Sequence, residues 1–191
     1  MTNTITNMQT VYDGWAKYSL ATIRLTNGAM VTREIEDHGR AVAVLPYDEV
    51  RKTAILVRQF RPPVFIASGD QDLLEAIAGL IEKKDPDPAD AGRREAHEEA
   101  GLCLRNLDFV ADAYAMPGLS TERMSLFLAV YTTTDRKSEG GGAEGEHENI
   151  LVEEISLARL AELADSGRLT DMKALVLAQT LRLRRPDLFT P

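Results

Sequence analysis

Arg93-Arg94-Glu95-Ala96-His97-Glu98-Glu99-Ala100-Gly101 is the stretch on which the reading of this chain turns. Glu95, Glu98 and Glu99 stand at i, i+3 and i+4. On a helix they project from one face, with about 5–6 Å between neighbouring Cβ atoms. Like charges at that spacing repel, and these crowd the C-terminal half of the helix, where the dipole disfavours anions. A divalent cation would offset both effects, and carboxylate oxygens are the hard ligands that magnesium prefers. The alternative is a solvated acidic face with Arg94 paired to Glu98, an arrangement worth little in either direction.

The flanking residues frame this segment as a helix. Asp87 is an N-cap residue, Pro88 suits the first helical position, and Gly101 suits the left-handed position past the end. Towards the N-terminus, Leu73 to Ile77 is a short apolar run ending at Gly79, and Ala41–Leu45 and Thr53–Phe60 read as strands about the turn-like Asp48. The first 45 or so residues alternate apolar and polar types, and Asn27-Gly28 signals a hairpin, so a small antiparallel sheet is expected there. Towards the C-terminus, Leu107–Ala115 and Met124–Tyr131 read as strands around a Pro117-Gly118 loop, and residues 134–149 as a mobile acidic loop. Ser156 and Thr170 are expected to cap two closing helices. The last of these would carry Met172, Leu175, Val176 and Leu183 on its apolar face and stop at Pro186. The fold class is α/β or α+β, with one central sheet region and three helices.

Composition narrows the function classes. The formal net charge of −8 and the lack of any basic block argue against a nucleic-acid partner. No apolar run approaches the roughly 18 residues needed to span a bilayer, so no membrane partner is expected. The N-terminus lacks a secretory signal pattern. Cys103 is the single cysteine, which rules out an internal disulfide and is expected to be a buried, inert thiol. A cytoplasmic protein is the simplest reading. An acidic chain can still handle a polyanionic substrate when bound cations sit between the two.

The helix stretch and its surroundings resemble the Nudix box: glycine, five residues, glutamate, seven residues, then Arg-Glu-aliphatic-any-Glu-Glu-any-Gly-aliphatic. Arg94-Glu95, Glu98-Glu99 and Gly101-Leu102 match its second half, with Ala96 where a bulkier aliphatic is usual. Counting from Gly79, Asp85 falls at the offset of the first glutamate, but eight residues rather than seven precede Arg94. Asp85 or Asp87 is therefore the candidate for that first position.

The resemblance implies an α/β/α sandwich with a mixed sheet, and Mg²⁺-dependent (or Mn²⁺-dependent) attack of water on a pyrophosphate. By the same match Glu95, Glu98 and Glu99 with the carbonyl of Ala78 are metal ligands, Glu98 and Arg94 belong to the catalytic set, and Arg94 orients the glutamates. In the loop Gly140–Ile150, Glu146 matches the general base and Glu148 a further metal ligand, with a register two residues earlier, Glu144 and Glu146, left open.

Outside the box, Leu56–Arg61, Met116-Pro117-Gly118-Leu119-Ser120-Thr121-Glu122, the triple glycine and Asp171-Met172-Lys173 resemble the ADP-ribose and GDP-mannose pyrophosphatase branch of the family, the GDP-mannose type most closely. That branch implies a nucleotide-sugar substrate and a homodimer. Residues 1–45 would be a dimerising sheet segment and residues 46–191 the hydrolase domain. Arg61 becomes a candidate phosphate contact, since guanidinium suits bidentate phosphate recognition, and Glu122 a candidate contact on the sugar side or to a loop metal. One of the aromatics Tyr12, Trp15 and Tyr18, with Tyr12 foremost, is a candidate partner for the base. The alternatives are a Nudix-fold sensor that binds a nucleotide sugar without cutting it, and a hydrolase of triphosphates or other nucleoside diphosphate derivatives.

Overall fold

The computed structural model describes residues 2–142 and 149–190. The chain divides into two compact units, residues 1–41 with 112–124, and residues 42–111 with 125–191.

In the first unit, β1 (Thr4–Asp13), β2 (Lys17–Arg24) and β3 (Met30–Asp37) form an antiparallel sheet in that order. The expected hairpin lies between β2 and β3, where Gly28 takes a φ of +85° and donates its N–H to the Leu25 carbonyl at 2.9 Å. Every residue of β1 is exposed.

The second sheet has the order β10 (Leu151–Ser156), β5 (Thr53–Gln59), β4 (Ala41–Asp48), β9 (Arg123–Val130), β8 (Asp108–Tyr114). In addition, β6 (Leu73–Glu75) pairs with β5 and β7 (Ile77–Leu80) with β4. All eight residues of β4 are buried. A strand buried on both faces needs cover on both, which is the sandwich expected from the resemblance. On one face Val42, Val44, Ile55, Val57, Phe127 and Ala129 pack with Ala91, Ala96 and Ala100 of α2 (Pro88–Ala100).

Helix α2 forms as its sequence dictates. Asp87 accepts from the Asp90 N–H at 2.8 Å, Pro88 is first, and Gly101 closes the end at a φ of +67°. Three elements depart from expectation. Helix α1 (Pro62–Ser68) was not foreseen; it is one proline-led segment between Arg61 and Gly69, without a buried residue to mark a period. Strand β10, antiparallel to β5, was also not foreseen. In the last helix, α4 (Met172–Arg184), the N-cap is Asp171 rather than Thr170. Its buried face is Ala174, Leu177, Ala178 and Leu181, while Met172, Val176 and Leu183 are exposed. Apolar residues surround this helix, so periodicity could not fix its phase. Helix α3 (Leu157–Asp165) starts at the expected cap, Ser156, whose hydroxyl accepts from the Arg159 N–H.

Candidate active site

Helix α2 lies against β7, and the contact is carried by carboxylates. The Ala78 N–H donates to Glu99 Oε2 at 3.3 Å. A methyl group on Gly79 would stand 2.0 Å from Glu95 Oε1, so the glycine leaves the room in which the Glu95 carboxylate lies. Glu95 and Glu99 are buried, at 9% and 3% exposure, which is costly for charged groups unless they are partnered. The backbone of Ala78, whose carbonyl was the expected ligand, is thus beside Glu99.

Arg94 sits at the centre of the acidic face. Its Nη1 donates to Glu95 Oε1 at 2.7 Å and to Glu98 Oε2 at 2.9 Å. Nε and Nη2 reach Asp85 at 3.2 and 3.1 Å, and Nη2 also reaches the Leu80 carbonyl at 2.8 Å. Burial by itself would lower the Arg94 pKa, but Asp85, Glu95 and Glu98 outweigh it and raise it. Asp85 is held below the usual carboxylate range, first by its hydrogen bond from Arg94. Of the two candidates for the first box carboxylate, Asp85 is therefore the one joined to the arginine, while Asp87 is spent on capping the helix. The extra residue is taken up in the 82–87 turn, where the Glu82 N–H donates to Asp85 at 2.8 Å.

The open carbonyls at the end of α2 are met by the segment leading to the expected base loop. Lys137 N–H donates to the Gly101 carbonyl, Gly141 N–H to that of Glu99, and Gly142 N–H to that of Glu98, at 2.7, 2.8 and 3.1 Å. Glu144, Glu146 and Glu148 lie outside the described residues. Among the described residues, no group of three acidic, histidine or cysteine side chains is placed to hold a metal ion. The donor chemistry of the face nevertheless suits a hard cation: buried carboxylate oxygens beside strand backbone, with one guanidinium shared among them.

Arg61 is gripped by Glu75, from Nε to Oε1 at 2.7 Å and from Nη2 to Oε2 at 3.1 Å. Lys173 reaches Glu75 at 3.1 Å and Asp171 at 2.7 Å. Burial lowers the pKa of Lys173, and the two carboxylates more than restore it. Arg61 is therefore half-exposed and already anchored. Cys103 is exposed, contrary to expectation, with Sγ 3.8 Å from His97 Nδ1; the inward positions of that turn go to Leu102 and Leu104.

In the first unit, Tyr12 is exposed and tilted against Tyr18, with ring centroids 6.3 Å apart. Glu122 accepts from His38 Nε2 at 3.2 Å, and His38 Nδ1 meets Glu36 at 2.5 Å. Trp15 stacks on the imidazole at 4.9 Å. His38 escaped the sequence reading because its partner Glu122 is 84 positions away and no local pattern joins them.

Comparison with known proteins places these observations. The family model described as NUDIX domain matches residues 37–175. The chain is 36% identical over 165 residues to a GDP-mannose pyrophosphatase of Pectobacterium atrosepticum, covering 85% of this chain and 83% of that protein. It is 38% identical over 154 residues to one of Cronobacter sakazakii, covering 80% and 78%. Among solved structures, one described as an ADP compounds hydrolase superposes with a TM-score of 0.78 at 20% identity, covering 98% of this chain and 96% of that one. The last likeness is one of fold.

Proposed function

The chain belongs to the Nudix family, and from that premise we propose that it hydrolyses the pyrophosphate bond of a nucleoside diphosphate sugar, GDP-mannose or ADP-ribose, to a nucleoside monophosphate and a sugar phosphate. The observation that carries this reading is the intact acidic face of α2. Glu95, Glu98 and Glu99 are all present, the first two are held by Arg94, and Glu95 and Glu99 press against the backbone of Gly79 and Ala78. A sensor that had lost catalysis would have no need of this costly arrangement.

The family uses a divalent cation, and Mg²⁺ is the ion we assign; Glu95, Glu98 and Glu99 with the Ala78 carbonyl and Glu148 would hold it. When bound it would neutralise phosphate oxygens and lower the pKa of a water. Arg94 acts through its glutamates as a positioning residue, since its N–H groups are spent on carboxylates and the Leu80 carbonyl. In the reaction, the water oxygen bonds to one phosphorus, the bridging P–O bond breaks, and the proton passes to a carboxylate, assigned to Glu146. Arg61, Glu122 and Tyr12 are proposed substrate contacts. For Arg61 the support is its pre-orientation by Glu75, which leaves the guanidinium half-exposed.

The same reading includes a cytoplasmic homodimer in which residues 1–45 dimerise and residues 46–191 form the hydrolase domain. Support comes from the exposed apolar residues Ile5, Met8, Val11 and Tyr12 along β1. Among the described residues no helix is long and apolar enough to cross a membrane. The experiment is release of phosphomonoesters from GDP-mannose, ADP-ribose, other nucleotide sugars and dinucleoside polyphosphates, with and without Mg²⁺. Mg²⁺-dependent preference for one nucleotide sugar is expected; tight binding without turnover of any member would leave only the sensor.

A further inference from the structure

The motif Met116–Glu122 is strapped to the end of β3 more firmly than a connecting loop requires. The Glu36 N–H donates to the Leu119 carbonyl and the Thr121 N–H to the Glu36 carbonyl, both at 2.9 Å. Ser120 Oγ donates to Glu36 Oε2 at 2.5 Å, and Thr121 Oγ1 to Asp37 at 2.7 Å. His38 completes the strap. One ring nitrogen faces Glu36 and the other faces Glu122, while the flat face of the ring carries the Trp15 indole at an interplanar angle of 19°.

Ionised carboxylates only accept hydrogen bonds, so both imidazole nitrogens are satisfied only when each bears a proton. The geometry thus calls for an imidazolium between two carboxylates. Its stacking on an indole adds cation–π attraction. The charged groups facing the ring are Glu36 from the end of β3 and Glu122 from the opposite loop; Ser120 and Trp15 are neutral, and Asp37 is turned to Thr121. Among the described residues, Glu122 uses Oε1 for His38 while Oε2 takes no hydrogen bond, which leaves an acceptor for a donor such as a sugar hydroxyl.

We propose that protonated His38 is a positioning residue that fixes the Glu122 carboxylate and the Trp15 indole for substrate, so that substrate binding weakens when the proton leaves. This rests on the reading of Glu122 as a substrate contact. Burial by itself lowers the pKa of His38, but the two carboxylates outweigh it and raise it. The clamp is therefore fully formed below the ordinary histidine pKa and opens as pH rises through the higher value in the folded protein.

Trp15 is the only tryptophan, so its emission reports the stack without substrate, because a protonated imidazole quenches an adjacent indole. Emission of the whole protein is expected to rise in one titration with its midpoint above about pH 6.5. His38→Gln should abolish that titration, and Glu122→Gln should move its midpoint down by removing one of the two carboxylates. For the nucleotide sugar turned over by the wild type, His38→Gln should raise KM about tenfold and change kcat by less than about twofold, the split expected when binding rather than chemistry is lost. Emission that does not titrate in the wild type, or an unchanged KM in His38→Gln, overturns the proposal. Failure of the substrate reading is separate: it shows as absent turnover in the wild type, beside an emission titration that still reports the clamp.

Discussion

Arg94 grips Asp85 through two hydrogen bonds, from Nε at 3.2 Å and from Nη2 at 3.1 Å, and the carboxylate so held is 6% exposed. The side chain that organises the acidic face of α2 is thereby tied to the turn before the helix. Asp85 titrates below the ordinary carboxylate range, so the stability it contributes is full above the unfolded pKa and is lost as pH falls through the lower folded value. Asp85→Asn should cost about 2 kcal/mol at pH 7, as for a hydrogen bond to a charged group. In urea melts the gap between variant and wild type should narrow as pH falls below the ordinary aspartate pKa of about 3.9. Asp87→Ala should cost about 1 kcal/mol as a lost cap and leave kcat unchanged; a fall in kcat for Asp87→Ala alone would assign the box carboxylate to Asp87.

Gly79→Ala is expected to disturb chemistry more than folding. The new methyl would lie 2.0 Å from Glu95 Oε1, and a carboxylate at the end of a flexible side chain can give way. Turnover should fall at least about tenfold, or roughly 1.4 kcal/mol in the barrier. Thermal melting should move only a few degrees, since about 1 kcal/mol shifts it by that much in a chain of this size. Undiminished kcat would mean that Glu95 is free to serve from another position.

Glu99→Gln keeps the shape of the side chain and the acceptor for the Ala78 N–H while removing a charge. Turnover with Mg²⁺ should be nearly abolished, with the folded state intact by circular dichroism. Near-wild-type rates would remove Glu99 from the metal site.

Glu146→Gln should lower kcat far more than it raises KM, as loss of a general base does; such a base contributes about 10²–10⁴-fold. A larger effect from Glu144→Gln would shift the loop register by two residues.

Glu75 is 2% exposed and neutralises two cations, Arg61 and Lys173. Glu75→Ala should destabilise the fold by about 2 kcal/mol, the loss of hydrogen bonds to charged groups, since Arg61 is half-exposed and Lys173 keeps Asp171. Arg61→Lys, which loses the bidentate fork, should leave stability near wild type and raise KM for the nucleotide sugar. A KM unchanged in Arg61→Lys would reduce Arg61 to a partner of Glu75.

Legibility in the sequence followed the range of the interactions. The acidic face of α2 could be read because Glu95, Glu98 and Glu99 are set by helical spacing alone. Asp87 and Gly101 could be read because a cap concerns only the next turn of backbone. The family followed from those same contiguous residues, and the hairpin at Gly28 from a dipeptide. The missing strand β10 and the short α1 had no comparable local mark: β10 exists because β5 offers it an edge, and α1 because prolines and Gly69 bound it.

Contiguous residues were therefore enough for what is local: the helix that carries the carboxylates, its two ends, and the membership those residues imply. Packing in three dimensions was needed to settle that Asp85 rather than Asp87 meets Arg94, that Ala174, Leu177, Ala178 and Leu181 form the buried side of a helix with apolar residues on several faces, and that His38 joins Glu122 across 84 positions. The reason is physical. A cap or an i+4 pair is fixed by backbone geometry within one turn. A pairing between distant segments depends on which strands adjoin and in what register, and no spacing in the chain encodes that by itself.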